Sequence, residues 1–137
     1  MESDSSGVVK MEAEPAAPLA RCNLLVIRCR DIDRAVAFYT AIGLRFVQHQ
    51  HGAKLPIHFA SEQPGFTFEL YPFVDEKDTP TCSTRLGFSV VDVDDTVAAA
   101  VAAGGTLLTP PSASPWGRRA VVVDPDGHRV ELTSQML

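Results

Sequence analysis

Residues 31–43 read DIDRAVAFYTAIG, and residues 92–104 read DVDDTVAAAVAAG. Six of the thirteen positions are identical in the two stretches, which lie 61 residues apart. In both, an aspartate suits the N-cap of an α-helix and the final glycine suits the position just after its C-terminus. In the first stretch, the apolar residues between these ends recur at helical spacing. The repeat therefore predicts one helical unit that the chain uses twice.

Strand-like patterns surround the two helices in the same order. A β-rich segment precedes each helix, and three further segments broken by Gly or Pro follow it. Each half closes with a Glu-Leu pair, at Glu69 and at Glu131, which are 62 residues apart. The sequence therefore predicts two βαβββ modules, at residues 22–74 and 83–135. The predicted strands cover residues 23–29, 44–50, 56–60, 66–73, 84–91, 106–109, 118–124 and 128–134.

Turn residues mark three segments of the chain. PPSASPWG at 110–117 holds three prolines, which predicts a loop because proline cannot donate to a continuous strand ladder. Asp126-Gly127 predicts a tight hairpin between the last two strands. Residues 74–83 are polar and contain proline, so we interpret them as a linker between the modules.

Length and composition limit the class of protein. At 137 residues the chain is long enough for one domain with a core, and its 45% hydrophobic content is ordinary for a globular protein. A net charge of −5 argues against nucleic acid as a partner. No apolar run approaches the about 20 residues that cross a membrane. Three cysteines without a CxxC motif favour reduced thiols and a cytoplasmic location.

The N-terminal residues differ from the rest of the chain. Residues 1–20 are acidic, rich in Ser, Ala and Pro, and lack the apolar segment of a signal peptide. We therefore expect a disordered tail at 1–20 and a single domain at 21–137.

Two sets of residues resemble the signatures of the vicinal oxygen chelate (VOC) superfamily, which includes glyoxalase I, bleomycin-resistance proteins and extradiol dioxygenases. The sets are Asp31, Ala37-Phe38-Tyr39 and Gly43-Leu44 in module one, and Trp116-Gly117, DPDGH at 124–128 and VEL at 130–132 in module two. The resemblance implies an α+β fold in which two tandem βαβββ modules form a curved, barrel-like mixed sheet around a cleft. It also implies a small-molecule ligand in that cleft and a possible homodimer.

In metal-dependent members of this superfamily, the ligands come from the first and last strands of each module. The matching positions in this chain are Leu24, Glu69, Arg85 and Glu131. Leucine offers no lone pair, and arginine is always cationic with no acceptor atom. Two carboxylates are fewer than the three or more protein ligands that Zn²⁺, Ni²⁺ or Fe²⁺ commonly take. We therefore expect no metal or other cofactor at these four positions, with a divalent ion as the disfavoured alternative.

Arg85 suggests a different use of the same positions. A guanidinium between two carboxylates donates hydrogen bonds to both and offsets their repulsion, so we expect Arg85 to bond to Glu69, Glu131 or both. In one interpretation Arg85 also binds an anionic or carbonyl-bearing ligand. In the other, the three side chains are only a buried ion-pair network.

Other residues are candidates for ligand binding. His58 could face the cleft and carry a proton, because imidazoles ionise near neutral pH. Tyr71 shares strand parity with Glu69 and is a candidate for the pocket wall. Trp116 either stacks on a planar ligand or holds its loop against the sheet. His49 and His51 have the spacing of same-face strand residues, which suits a metal pair or, more simply, a solvated edge strand.

Three functions remain open at this point. The first is a metal-free module that binds a small organic molecule. The second is a glyoxalase-like lyase or isomerase in which Glu131 or Glu69 acts as a general base, with a dioxygenase disfavoured. The third is an interaction domain whose cleft is vestigial. We expect no membrane partner.

Overall fold

The computed structural model describes residues 19–75, 81 and 84–134. Two βαβββ modules follow one another along the chain, so the prediction of an α+β fold with two tandem modules is confirmed. Module one consists of β1 (Leu24–Cys29), α1 (Ile32–Ala41), β2 (Val47–His49), β3 (His58–Gln63) and β4 (Phe66–Pro72). Module two consists of β5 (Arg85–Val90), α2 (Val93–Ala102), β6 (Thr106–Ser114), β7 (Gly117–Val123) and β8 (Arg129–Ser134).

The two helices begin and end as the repeat predicts. The Asp31 carboxylate accepts a hydrogen bond from the backbone N–H of Arg34 at 3.2 Å, and Asp92 accepts one from Asp95 at 2.9 Å. These bonds satisfy amide groups that have no partner within the helix. Gly43 and Gly104 follow the helices with φ of 115° and 104°. Residues with a Cβ atom rarely adopt this backbone conformation, so glycine suits both positions.

Each module forms its own four-stranded mixed sheet. The strand order is β1-β4-β3-β2 in sheet one and β5-β8-β7-β6 in sheet two. The first and last strands of each module pair in parallel, and the other neighbours are antiparallel. The two curved sheets remain separate and do not close into a barrel. Within the described residues, no helix is both long and apolar enough to cross a membrane.

One hydrophobic core joins the two modules. Alternate residues of the strands, including Phe68 on β4 and Leu132 on β8, point to the side that carries the helices and are buried there. The rings of Phe68 and Phe88 are in edge contact at 5.7 Å, so the helix-covered sides of the two sheets meet. The intervening residues of each strand point away from this shared core. We call these two surfaces the open face of sheet one and the open face of sheet two.

The DPDGH segment at residues 124–128 connects the β7–β8 hairpin to module one through hydrogen bonds. The Asp124 carboxylate accepts hydrogen bonds from the Tyr39 hydroxyl at 2.6 Å and from Nδ1 of His128 at 2.7 Å. Asp126 accepts a 2.8 Å bond from the backbone N–H of Arg30. Burial opposes ionisation of Asp124, but the bonds from His128 and Tyr39 outweigh it and lower the pKa of Asp124. The segment therefore has a structural role.

Some predicted boundaries are wrong. The predicted loop at 110–117 is largely strand, because β6 continues to Ser114. Its prolines are tolerated at the sheet edge, where the pairing with β7 shifts register on both sides of Thr109. β2 is shorter than the predicted 44–50, and β3 starts at His58 instead of residue 56. Residues 1–18 of the predicted tail, and 76–80 and 82–83 of the predicted linker, lie outside the described residues.

Candidate functional site

The open face of sheet one brings three of the predicted site residues together. Glu69 and Tyr71 lie two residues apart on β4 and share this face, and β3 places His58 beside Tyr71. The His58 and Tyr71 rings stack at 4.2 Å with an interplanar angle of 8°. Nε2 of His58 lies 3.6 Å from Oε2 of Glu69. His58 is buried, with a side chain that is 2% exposed.

Arg28 joins this group, although the sequence analysis did not identify it. Its guanidinium lies 5.0 Å from the centre of the Tyr71 ring and donates a long bond of 3.4 Å to the Pro72 carbonyl. Arg28 is opposite Tyr71 in the parallel β1·β4 register, so β1 and β3 flank the tyrosine with a cation and an imidazole. Cation–π contact and ring stacking fix the tyrosine on the face. The parallel pairing of β1 and β4 was the signal for this contact.

The open face of sheet two carries Glu131, and its partner is Arg119. Nε of Arg119 lies 2.5 Å from Oε1 of Glu131. Glu131 is opposite Val121 across β7·β8, and Arg119 is two residues further along β7 on the same face. Both side chains are partly exposed, at 24% and 33%, so this ion pair contributes little to stability.

The prediction that Arg85 bonds to Glu69 or Glu131 is wrong. Arg85 is exposed, and within the described residues its guanidinium forms no ion pair with either carboxylate. In the parallel β5·β8 register Arg85 is opposite Arg129, whereas Glu131 is opposite Gly87. The antiparallel neighbour on β7 therefore reaches Glu131, and the parallel neighbour on β5 does not.

In metal-dependent members of the superfamily that the sequence resembles, four strand positions bind the metal, and the residues at these positions in this chain do not fit a divalent ion. Leu24 offers no lone pair, Arg85 offers no acceptor, and Glu131 is already paired with Arg119. Glu69 lies on the open face of sheet one and Glu131 on that of sheet two, and these faces point away from the shared core. Within one chain the two carboxylates therefore do not form a common site.

A family model matches residues 21–132 of the chain, and its description is Glyoxalase/Bleomycin resistance protein/Dioxygenase superfamily. The chain belongs to this superfamily, to which the VOC name also refers. A search of curated proteins gives no significant match.

Solved structures of the superfamily have the same fold. A glyoxalase-related enzyme from Fulvimarina pelagi is 26% identical, covers 85% of this chain and 89% of its own, and superposes with a TM-score of 0.68. A glyoxalase/bleomycin resistance protein/dioxygenase family enzyme from Burkholderia phytofirmans PsJN is 22% identical over 85% of this chain and 100% of its own, with a TM-score of 0.66. TnmS3, an antibiotic binding protein from Streptomyces sp. CB03234, is 24% identical over 88% of this chain and 100% of its own, with a TM-score of 0.64.

Trp116 lies apart from the other candidates of this VOC domain. It occupies the turn between β6 and β7, where its backbone N–H donates to the Ser114 hydroxyl at 3.2 Å. At 72% exposure its ring does not hold the segment against the sheet, so that interpretation is wrong. A role in stacking on a ligand stays a prediction.

Three concavities surround the end of α1 and contain none of the predicted site residues. One, of about 540 Å³, lies between the modules and is lined by the loop after α1, the end of β3 and residues 87–90 of β5. Another, of about 790 Å³, lies between the end of α1 and the start of α2. Apart from Trp116, the predicted site residues are on the two open faces instead.

Proposed function

We propose that this VOC domain binds a small organic molecule that bears an anionic or carbonyl group, without a divalent ion at Leu24, Glu69, Arg85 and Glu131. The observation that carries this proposal is the pair Arg85 and Arg129. These residues are directly opposite one another on the open face of sheet two. Within the described residues, neither guanidinium forms an ion pair.

Two arginines at opposite positions of neighbouring strands repel each other. A bound carboxylate or phosphate removes this repulsion and accepts up to two hydrogen bonds from each guanidinium. Arg119 adds a third cation to the face, and Glu131 provides one negative charge beside it. The open face of sheet two therefore has an excess of positive charge, which favours a ligand that carries the opposite charge or a polarised carbonyl.

The open face of sheet one supplies a complementary surface. Tyr71, with Arg28 and His58 on either side, is a flat polarisable group suited to an aromatic or unsaturated ligand. Leu24 and Val47 on this face are 49% and 58% exposed, which adds apolar area. A small organic ligand agrees with the fact that TnmS3, which has the same fold, is an antibiotic binding protein.

A homodimer would bring the two kinds of face together. Within one chain they point away from each other, yet the superfamily resemblance places all four strand positions in one cleft. A second copy that presents its sheet two to the sheet one of the first would form that cleft twice, by two-fold symmetry. We therefore propose that the site is built across two chains.

The retained carboxylates support a second candidate, a lyase or isomerase. Nε2 of His58 and Oε2 of Glu69 lie 3.6 Å apart, close enough for a proton to pass once a ligand tightens the contact. In this alternative Glu69 removes a proton from carbon and His58 returns it to oxygen. Turnover of any ligand that binds, abolished in Glu69→Gln with binding kept, would favour the enzyme.

A thermal-shift screen of tag-free protein in chelator tests the proposal, with a library of carboxylates, phosphates and carbonyl compounds. A ligand at about 100 times its Kd adds about 2.7 kcal/mol to the free energy of unfolding, which raises the Tm by several degrees. We expect Arg85→Ala to abolish the shift and Arg118→Ala to keep it, because Arg118 pairs with Asp94 on the helix side. Ligands whose thermal shift is the same in wild type and Arg85→Ala, or whose shift requires added metal, would refute the proposal.

Mixing two inactive variants tests whether the site spans two chains. Tyr71→Ala removes the sheet-one wall and Arg85→Ala removes the sheet-two cation. If each site combines one wall from each chain, random exchange leaves about a quarter of the sites intact, because half of the dimers are mixed and each has one complete site. Binding capacity that returns to this level supports the two-chain site, and capacity that stays at zero after subunit exchange contradicts it.

A further inference from the structure

We propose that His49, His51 and His58 together bind one divalent transition-metal ion, at a place distinct from the four strand positions. One ring nitrogen from each histidine lies within 4.8 Å of the other two. The ring centres are 5.0 Å apart for His51 and His58, and 5.7 Å apart for each of the other two pairs. The site lies at the end of β2 and the start of β3, on the open face of sheet one.

The strand register builds this cluster. His49 is directly opposite His58 in the antiparallel β2·β3 pair, so their side chains leave the sheet on the same side. His51 follows His49 by two residues, just beyond the end of β2, and its ring turns back over His58. One cross-strand pair, His49 and His58, and a third histidine two residues further along the chain are therefore sufficient to bring three imidazoles together.

His58 is prepared to act as a ligand. Its Nδ1 lies 3.4 Å from the Pro56 carbonyl, which can only accept a hydrogen bond, so Nδ1 is the donor and Nε2 carries the lone pair of the neutral ring. Nε2 is buried, and no described residue forms a hydrogen bond with it. Metal-bound histidines commonly donate their second ring N–H to a backbone carbonyl in this way. A buried acceptor without a donor is unfavourable, and a metal ion would supply the missing partner.

The position of Glu69 agrees with a cation at this place. Its Oε2 is 3.6 Å from Nε2 of His58. With the proton of His58 on Nδ1, two lone pairs face each other across that gap, which is repulsive. A divalent ion bound to Nε2 turns the repulsion into attraction, and Glu69 then balances part of its charge.

The ligand chemistry selects the ion. Three imidazoles suit Zn²⁺, Ni²⁺, Co²⁺ or Cu²⁺, whereas Mg²⁺ and Ca²⁺ prefer oxygen ligands. Ligand atoms of a tetrahedral zinc ion are about 3.3 Å apart for bonds of about 2.0 Å, so the cluster must contract by about 1.5 Å. His51 is exposed and His49 half-buried, so rotation of their side chains supplies this movement while the buried His58 stays in place. Three protein ligands leave a fourth position for water or an anion.

Titration of tag-free, chelator-treated full-length protein with Co²⁺ and Zn²⁺ tests the inference. We expect one ion per chain, the intense visible absorption of Co²⁺ in a tetrahedral site, and displacement by Zn²⁺. His49→Ala and His51→Ala should each weaken binding by more than about 100-fold, a larger loss than removal of an outer hydrogen-bond partner causes. Neither residue is part of the core, so both variants should fold. Gln48→Ala is the matched control, since this exposed residue directly precedes His49 on β2 and points to the other side of the sheet.

Several results would overturn the inference. No binding, or equal affinity in wild type and His51→Ala, would show that the histidines do not hold metal. Loss of binding in Cys22→Ser would instead assign the ion to the exposed thiol. The inference does not depend on the proposed ligand, because Arg85→Ala should leave metal affinity unchanged and His51→Ala should leave the Arg85-dependent thermal shift in chelator unchanged.

Discussion

Arg119 is the cationic partner of Glu131, a role that the sequence analysis assigned to Arg85. The sequence indicated that Glu131 needs a cationic partner, and it named Arg85 because the two belong to the same group of strand positions. A two-residue turn at Asp126-Gly127 would place Val123 opposite Val130, whereas the structure pairs Val123 with Arg129 across a longer turn. Counting back along β7 from that pair brings Arg119 to the same face as Glu131. The turn predicted from the sequence therefore gives the wrong register, because a shift of one residue moves Arg119 to the face opposite Glu131.

Gly105 is a position where a single methyl group should disturb the packing between the modules. A Cβ there would come within 2.5 Å of Cε1 of Phe38 and 2.9 Å of the Ala100 carbonyl oxygen. Because Phe38 is fully buried and the second atom is backbone, neither can move easily. We expect Gly105→Ala to lower the free energy of unfolding by about 1–3 kcal/mol in urea denaturation.

Gly87→Ala is the control for this substitution. Nothing lies within 4 Å of a Cβ at Gly87, which faces outward on sheet two. We expect a change in unfolding free energy of less than about 0.5 kcal/mol. Equal destabilisation by both substitutions would show that the contact with Phe38 does not limit the packing.

The β7–β8 hairpin and helix α1 are coupled through Asp124, and this coupling should depend on pH. The pKa of Asp124 is lower in the folded chain than in the unfolded chain, since the bonds from His128 and Tyr39 outweigh burial. The ionised carboxylate therefore stabilises the folded state. This contribution is complete above the ordinary pKa of an aspartate, about 4, and is lost as the pH falls through the lower folded value.

We expect Asp124→Asn to lose about 2 kcal/mol of stability at pH 7, with the gap to wild type narrowing at acidic pH below about 4. Urea denaturation at several pH values measures the gap. Asp126→Asn is the comparison, because burial raises the pKa of Asp126 and so gives its ionisation the opposite effect on stability. A gap between Asp124→Asn and wild type that does not change with pH would contradict the assigned role of the carboxylate.

The elements that the sequence predicted well are those with local signals. Asp31 and Asp92 accept bonds from the backbone three residues ahead, and Gly43 and Gly104 have the positive φ that a helix end commonly requires. Strand β6 was underestimated, because Pro110 and Pro111 exclude a central strand but not an edge strand with shifted register. Edge position is a property of the whole sheet, so the prolines alone did not reveal it.

The repeat explains the architecture of the whole molecule but not the arrangement of the sites. Both modules bury their helix-covered sides in one core, where Phe68 meets Phe88. This leaves two outward faces, one with the aromatic and histidine cluster and one with three arginines around Glu131. Sequence parity correctly places Glu69 with Tyr71, because one strand carries both. It could not show that Glu69 and Glu131 face apart, because that depends on how the modules pack.

The central proposal is that the four strand positions of this VOC domain hold no metal ion, and the metal content of tag-free purified protein tests it without any knowledge of the ligand. Elemental analysis should give the same metal content for wild type and Glu131→Gln, and any ion present should be lost in His51→Ala. One equivalent of metal in wild type that disappears in Glu131→Gln and persists in His51→Ala would contradict the conclusion.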